Sequence, residues 1–124
     1  MPKILVVDDE QDVVRLIEFR LVKEGFEIVS CGDGQTALSL ADSEKPDLVI
    51  LDLMMPLMDG MEVLRQIRSH RTTSRMPIIM LTAKTSSLNI DESWRLGVAD
   101  YMVKPFDPEK LVAKVKKALK IPLG

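Results

Sequence analysis

The sequence predicts an α/β fold, a doubly wound five-stranded parallel sheet with helices on both faces, and three observations carry that prediction. Short runs of unbroken apolar residues recur, Ile4-Leu5-Val6-Val7, Leu48-Val49-Ile50-Leu51 and Ile78-Ile79-Met80-Leu81, as strands covered on both faces require. The connections between successive strands include about a dozen residues or more, which is the length a parallel crossover needs. Finally, 124 residues of which 46% are hydrophobic can bury roughly two-thirds of their unfolded surface without disulfide or metal support.

The elements follow in order. The first strand, Lys3 to Asp8, ends abruptly in two carboxylates. A helix to about Lys23 sets Val13, Leu16, Ile17 and Leu21 on one face, with Phe19 and Val22 fitting less well, and Gly25 stops it. Phe26-Glu27-Ile28-Val29 alternates as an edge strand does, and Gly32-Asp33-Gly34 breaks it before a helix carrying Ala37, Leu38 and Ala41. Pro46 marks the turn into the third strand, which closes on Asp52. Beyond Pro56 and Gly60 a helix through Met61, Leu64 and Ile67 runs to about His70, and a polar loop, Thr72-Thr73-Ser74-Arg75, leads to Pro77 and the fourth strand, Ile78 to Thr82. A short helix from Leu88 to Leu96 stops at Gly97, and Ala99 to Val103 forms the fifth strand. In the last helix Asp107 is the N-cap, Pro108 takes the first helical position, and Leu111, Val112, Val115, Ala118 and Leu119 form the apolar side.

Composition narrows the function. With 17 basic and 19 acidic side chains the formal net charge is -2, which argues against a nucleic-acid footprint. The late lysines, Lys104, Lys110, Lys114, Lys116, Lys117 and Lys120, read as a solvated helix face. No apolar run approaches the ~18 residues of a membrane span. The lone Cys31 cannot form an internal disulfide, and the Met-Pro-Lys start lacks a secretory signal, so a cytoplasmic location and one domain over residues 1–124 are expected.

For five strands the common flavodoxin-like order, 2-1-3-4-5, makes the first and third strands neighbours at a switch point where ligands sit. Asp8, Asp9 and Asp52 would converge there, and Thr82 and Lys104 end the fourth and fifth strands at the same edge. Strands lie about 4.8 Å apart, so three such carboxylates repel one another unless protonated or neutralised by a cation. Mg²⁺, which favours oxygen ligands and is held by one or two carboxylates plus phosphate, suits such a crevice. Zinc has no support: His70 is the only histidine, and it reads as a surface or cap residue. With Mg²⁺ present, Asp52 is the best-placed nucleophile toward phosphorus, Asp8 and Asp9 are the cation holders, Lys104 balances phosphoryl charge, and Thr82 offers a hydroxyl donor to a phosphoryl oxygen. Taken singly, each of these residues could merely start a turn or cap a helix. Five together at one sheet edge point to a site.

At these residues the sequence closely resembles the receiver domains of two-component response regulators, from Lys3 to about Leu119. The resemblance rests on Ile4-Leu5-Val6-Val7-Asp8-Asp9-Glu10, on Leu51-Asp52-Leu53-Met54-Met55-Pro56-Leu57-Met58-Asp59-Gly60, on Leu81-Thr82-Ala83 and on Asp100-Tyr101-Met102-Val103-Lys104-Pro105-Phe106. It implies that Asp52 is the phosphoacceptor, Asp9 a direct Mg²⁺ ligand, Asp8 a ligand mainly through water, and the Met54 carbonyl a further ligand. It also implies that Thr82, Tyr101 and Lys104 form a conformational-switch set and that the Lys104-Pro105 peptide is cis. On its own chemistry Tyr101, an aromatic ring with a phenolic hydroxyl, can alternate between water and the fourth strand and is expected to take the buried rotamer on phosphorylation, the alternative being a simple half-buried sheet tyrosine. The implied phosphodonors are a sensor histidine kinase or phosphotransfer protein carrying phosphohistidine, and small donors such as acetyl phosphate, with slow autodephosphorylation. Output would pass through the fourth helix, fifth strand and fifth helix to an effector protein or to an output domain absent from this chain. A homodimer through that face and a solvated face remain alternatives.

One departure is Gly97-Val98-Ala99-Asp100-Tyr101 where the family commonly has Gly-Ala-Asp-Asp-Tyr, which bears on partner choice and leaves the implied ligands intact. Trp94 could be core or an exposed partner contact. The side chains of Met54 and Lys84 could gate water approaching an aspartyl phosphate, against a reading of the methionines as loop and core filling. Cys31 reads as inert. Two other classes compete: a hydrolytic phosphotransferase acting on small molecules, which should carry a second acid two residues after the nucleophile, where this chain has Met54, and a receiver-like scaffold that is never phosphorylated.

Overall fold

The computed structural model describes residues 1–83 and 87–122, with side chains from residue 90 onward in the second stretch. Five strands, β1 (Lys3–Val7), β2 (Glu27–Cys31), β3 (Leu48–Asp52), β4 (Ile78–Thr82) and β5 (Asp100–Val103), alternate with five helices, α1 (Gln11–Lys23), α2 (Gly34–Ser43), α3 (Gly60–Ser69), α4 (Ser87–Arg95) and α5 (Pro108–Ala118). The sheet order is β2-β1-β3-β4-β5 and every pairing is parallel, the doubly wound topology expected from the sequence.

Strand pleating divides the core in two. Leu5, Val7, Val49, Leu51, Ile78 and Met80 face Ala37 and Ala41 of α2 and Met61, Val63, Leu64 and Ile67 of α3. Ile4, Val6, Leu48, Ile50, Ile79 and Leu81 face Ile17 and Leu21 of α1 and Leu111, Val112 and Val115 of α5. Truncating such a fully buried leucine or isoleucine to alanine costs about 2–5 kcal/mol. β2 is the half-exposed edge strand that its alternation implies.

Three details depart from the sequence reading. Leu16 is 44% exposed, because Ile17 and Leu21 with the half-buried Val13 and Val14 centre the α1 stripe and each residue step turns about 100°. Phe26 is buried ahead of β2 rather than inside it. Its amide donates to Leu21 O at 3.1 Å, closing α1. Ala99 likewise precedes β5, its amide donating to Ile78 O at 2.7 Å.

Aspartates start three helices: Asp33 accepts from Thr36 N at 2.7 Å, Asp59 from Glu62 N at 3.0 Å, and the expected Asp107 from Glu109 N at 2.9 Å. All five helices begin at the carboxyl edge of the sheet, where Asp52 emerges. Gly60 lets α3 approach that edge. A Cβ there would collide with the carbonyl oxygen of Asp52 and lie 2.8 Å from Leu53 Cα, and the Gly60 amide donates to Leu53 O at 2.8 Å.

Candidate functional site

The register places the acidic residues together before any side chain is considered. Val7 pairs with Leu51, so Asp8 and Asp52 leave adjacent strands side by side. Both are almost completely buried, at 1% and 2% exposure, whereas Asp9 and Glu10 reach solvent. One carboxylate oxygen from each of Asp8, Asp9, Glu10 and Asp52 falls within 4.8 Å of all the others.

Local bonds aim the buried pair. Asp8 Oδ1 accepts the Glu10 amide at 2.9 Å, which turns the chain into α1, and Asp52 Oδ1 accepts the Met54 amide at 3.3 Å. Lys104, one residue beyond β5, extends its ammonium into the group: Nζ lies 2.7 Å from Asp8 Oδ2, 2.9 Å from Glu10 Oε1 and 3.5 Å from Asp52 Oδ2. The Lys104–Pro105 peptide is cis.

Among the described residues the electrostatics are unbalanced, with four carboxylates facing one ammonium. Burial is the main reason the Asp52 carboxyl is pushed up to about 7; the Asp8 charge raises it further, and Lys104 and the Met54 amide pull the other way. Burial by itself would lower Lys104, but its pairing with Asp8 and Glu10 outweighs that and holds it above its ordinary value.

These residues fit a hard divalent cation on two counts. The side chains gathered here among the described residues offer carboxylate oxygens, the ligands Mg²⁺ prefers. In addition Asp8 Oδ2, though ion-paired with Lys104, receives no directed hydrogen bond and so is a buried anionic acceptor with capacity to spare. The four acids could therefore hold such an ion. His70 sits far from them, capping the other end of α3 with Nδ1 2.7 Å from Gln66 O.

Thr82 is fully buried at the end of β4, one strand over from Asp52, and its carbonyl accepts the Lys104 amide at 2.7 Å. The Met54 side chain is 66% exposed beside the site. Lys84 lies outside the described residues. Tyr101 is half-buried in β5; its hydroxyl bonds that of Ser93 in α4, and its ring lies 5.8 Å from Trp94 at 50°. Trp94 itself is 49% exposed, which favours the surface alternative over the core one. Cys31 is a free, half-buried thiol that burial pushes up to about 11, in keeping with inertness.

Two contributors went unassigned in the sequence. Glu10 joins the carboxylate group and shares Lys104; its signal was a third consecutive acid at the strand exit. Ser93 is fully buried against Tyr101, a contact that a polar residue in a short amphipathic helix does not announce.

A parallel doubly wound sheet whose switch point carries buried and exposed carboxylates facing a lysine defines the flavodoxin-like class of α/β module, in which ligands sit at that point. The response regulator receiver domain model matches residues 4–116, and the chain belongs to that family. It is 44% identical over 118 residues to the alkaline phosphatase synthesis transcriptional regulatory protein PhoP of Bacillus subtilis, covering 95% of this chain and 48% of that protein. The chain thus spans about half the length of that curated relative. Among solved structures it resembles the chemotaxis protein CheY4 of Vibrio cholerae, with TM-score 0.89 and 33% identity over 95% of this chain and 98% of that one. It also resembles a CheY-like receiver domain protein of Methanospirillum hungatei, with TM-score 0.91 and 29% identity over 97% and 94%. Among the described residues no helix is long and apolar enough to cross a membrane.

Proposed function

We propose that residues 1–124 act as one phosphorylation-driven switch of a two-component relay, with Asp52 as phosphoacceptor. The observation that supports this most directly is the placement of Asp52: nearly buried at the end of β3, in a group of four carboxylates, with Lys104 Nζ 3.5 Å away.

In the reaction an Asp52 carboxylate oxygen forms a bond to phosphorus while the bond from phosphorus to the donor nitrogen of phosphohistidine breaks, and the imidazole leaves with that electron pair and takes up a proton. With acetyl phosphate the bond broken is P–O and the leaving group is acetate. Asp8 and Asp9, with Asp52 and the Met54 carbonyl, would hold Mg²⁺. When bound, the ion offsets the negative charge shared by nucleophile and phosphoryl oxygens. Lys104 supplies a second positive charge on a flexible stem. Thr82 offers its hydroxyl to a phosphoryl oxygen present only after transfer, and Tyr101 follows toward a buried rotamer, changing the surface of α4, β5 and α5. Slow hydrolysis of the acyl phosphate resets the switch.

The partners on this reading are a sensor histidine kinase or phosphotransfer protein on the input side and an effector or linked output domain on the other, in the cytoplasm, with dimerisation through the α4–β5–α5 face as one mode of output. Incubation with acetyl phosphate, with and without Mg²⁺, read by intact mass, tests the assignment. One phosphoryl group per wild-type chain, dependent on Mg²⁺ and absent from a folded Asp52→Asn variant, is expected. Labelling that persists in Asp52→Asn would overturn the assignment, no uptake by wild type would favour a constitutive scaffold, and turnover of small phosphate esters would favour a hydrolytic enzyme.

A further inference from the structure

Two arginines of α3 fasten the second half of α4. Arg65 clasps Glu92 through Nε at 2.7 Å and Nη2 at 3.0 Å, and Arg68 donates to the carbonyls of Leu96 and Gly97 at 2.6 and 3.1 Å. Ser93 lies between these two clasps and is fully buried. Its hydroxyl bonds the Tyr101 hydroxyl of β5 and stands 4.0 Å from the sulfur of Met61 in the first turn of α3. Ser93 is therefore held on a fastened helix, whereas the phenol that it meets belongs to a half-buried ring.

Packing alone does not ask for a serine here. Alanine suits a buried helix position and has the higher helix propensity, and a hydroxyl taken out of water costs free energy unless it is bonded. The bond to Tyr101 offsets that cost. Tyr101 pairs with Met80 and packs against the half of the core to which Met80 belongs. Thr82, two residues beyond Met80 on β4, points to the same face. Turning the ring toward Thr82 swings its hydroxyl away from Ser93, and the two clasps keep Ser93 from following. The Ser93 bond thus belongs to one pose of the tyrosine and is lost in the other.

We propose that Ser93 is a positioning residue for the switch: its bond holds Tyr101 in the half-buried pose, and so sets how strongly a phosphoryl group on Asp52 must pull before the ring moves. The proposal rests on Asp52 as phosphoacceptor and on the Tyr101 movement described under the proposed function.

Binding of beryllofluoride with Mg²⁺ to the intact chain, measured by calorimetry in wild type, Ser93→Ala, Tyr101→Phe and the double variant, tests this. Ser93→Ala should bind about fivefold more tightly than wild type, the equivalent of one neutral hydrogen bond released from the resting pose. Tyr101→Phe removes the same bond from its other end and should gain similarly, and Ser93→Ala should add nothing in the Tyr101→Phe background. Without ligand, the Tyr101 ring resonances of Ser93→Ala should lie part of the way toward those of the wild-type beryllofluoride complex. An unchanged affinity in Ser93→Ala would overturn the proposal. So would an equal gain in both backgrounds, because a serine acting only through helix packing needs no phenol. If wild type binds no beryllofluoride, the Asp52 reading falls instead; the ligand-free ring resonances then decide for Ser93 by themselves, a change in Ser93→Ala upholding its hold on the ring and identical resonances overturning it.

Discussion

Lys104 Nζ is closer to Asp8 than to Asp52, 2.7 Å against 3.5 Å. The lysine therefore satisfies the buried acid beside the nucleophile first and leaves Asp52 only partly compensated, which agrees with the Asp52 carboxyl standing near 7.

The sign of the resulting pH dependence is fixed. Because the Asp52 carboxyl is raised from 3.8 unfolded to about 7 folded, the native state binds more protons than the unfolded one between those values. Its contribution to stability is then lost as pH rises from about 4 to 7. Urea unfolding in cation-free buffer should show Asp52→Asn gaining roughly 1–3 kcal/mol over wild type at pH 8 and little at pH 4. Equal differences at both pH values would mean that charge at Asp52 is not the cause.

Divalent cation should reverse the same penalty. At a hundredfold excess over Kd, Mg²⁺ is expected to stabilise the native chain by about 2.7 kcal/mol, seen as a rise in Tm that EDTA abolishes. Asp9→Asn/Asp52→Asn should erase most of it. A shift that persists in this variant would place the ion elsewhere.

Gly60 is expected to tolerate no side chain. Since a Cβ would meet the Asp52 carbonyl and lie 2.8 Å from Leu53 Cα, backbone must move, and Gly60→Ala should cost about 2–4 kcal/mol and displace Asp52. Chemical denaturation reads the first, and slowed acetyl-phosphate labelling of the folded fraction the second. A neutral substitution would show that α3 can slide along the edge.

Trp94, 5.8 Å from the Tyr101 ring and half-exposed, should report the switch. A beryllofluoride phosphate mimic with Mg²⁺ is expected to change its fluorescence in wild type and much less in Tyr101→Ala. An identical change in both proteins would detach the indole from tyrosine movement.

Much of this arrangement was legible in the sequence because apolar runs ending in acids are a strong signal. Asp8 and Asp52 close such runs, and once the sheet order is known they must be neighbours. Asp107 and Pro108 announced the start of α5 in the same local way. What escaped depended on contacts between distant segments. Leu16 looked apolar enough to be core, yet the helical phase was set by the α5 residues that α1 meets. Ser93 and Tyr101 are joined by packing of α4 against the sheet, which periodicity in a nine-residue helix cannot phase. The Arg68 bonds to Leu96 and Gly97 span 28 and 29 residues and follow from tertiary docking alone.

The start of α1 differs from those of α2, α3 and α5, because Glu10 occupies its N-cap without a side-chain bond to the helix and gives its carboxylate to Lys104 instead. If Lys104 turns toward a phosphoryl group, Glu10 is released to fold back toward the open amides of its own first turn, where a carboxylate near a helix N-terminus gains about 0.3–1 kcal/mol. Occupancy of the pocket would then be written into the fraying of the neighbouring helix. Slower amide exchange at Gln11 and Asp12, whose amides lack the bond to Glu10 O that Val13 and Val14 make, would register it in the phosphate-mimic state, and unchanged exchange there would sever that connection.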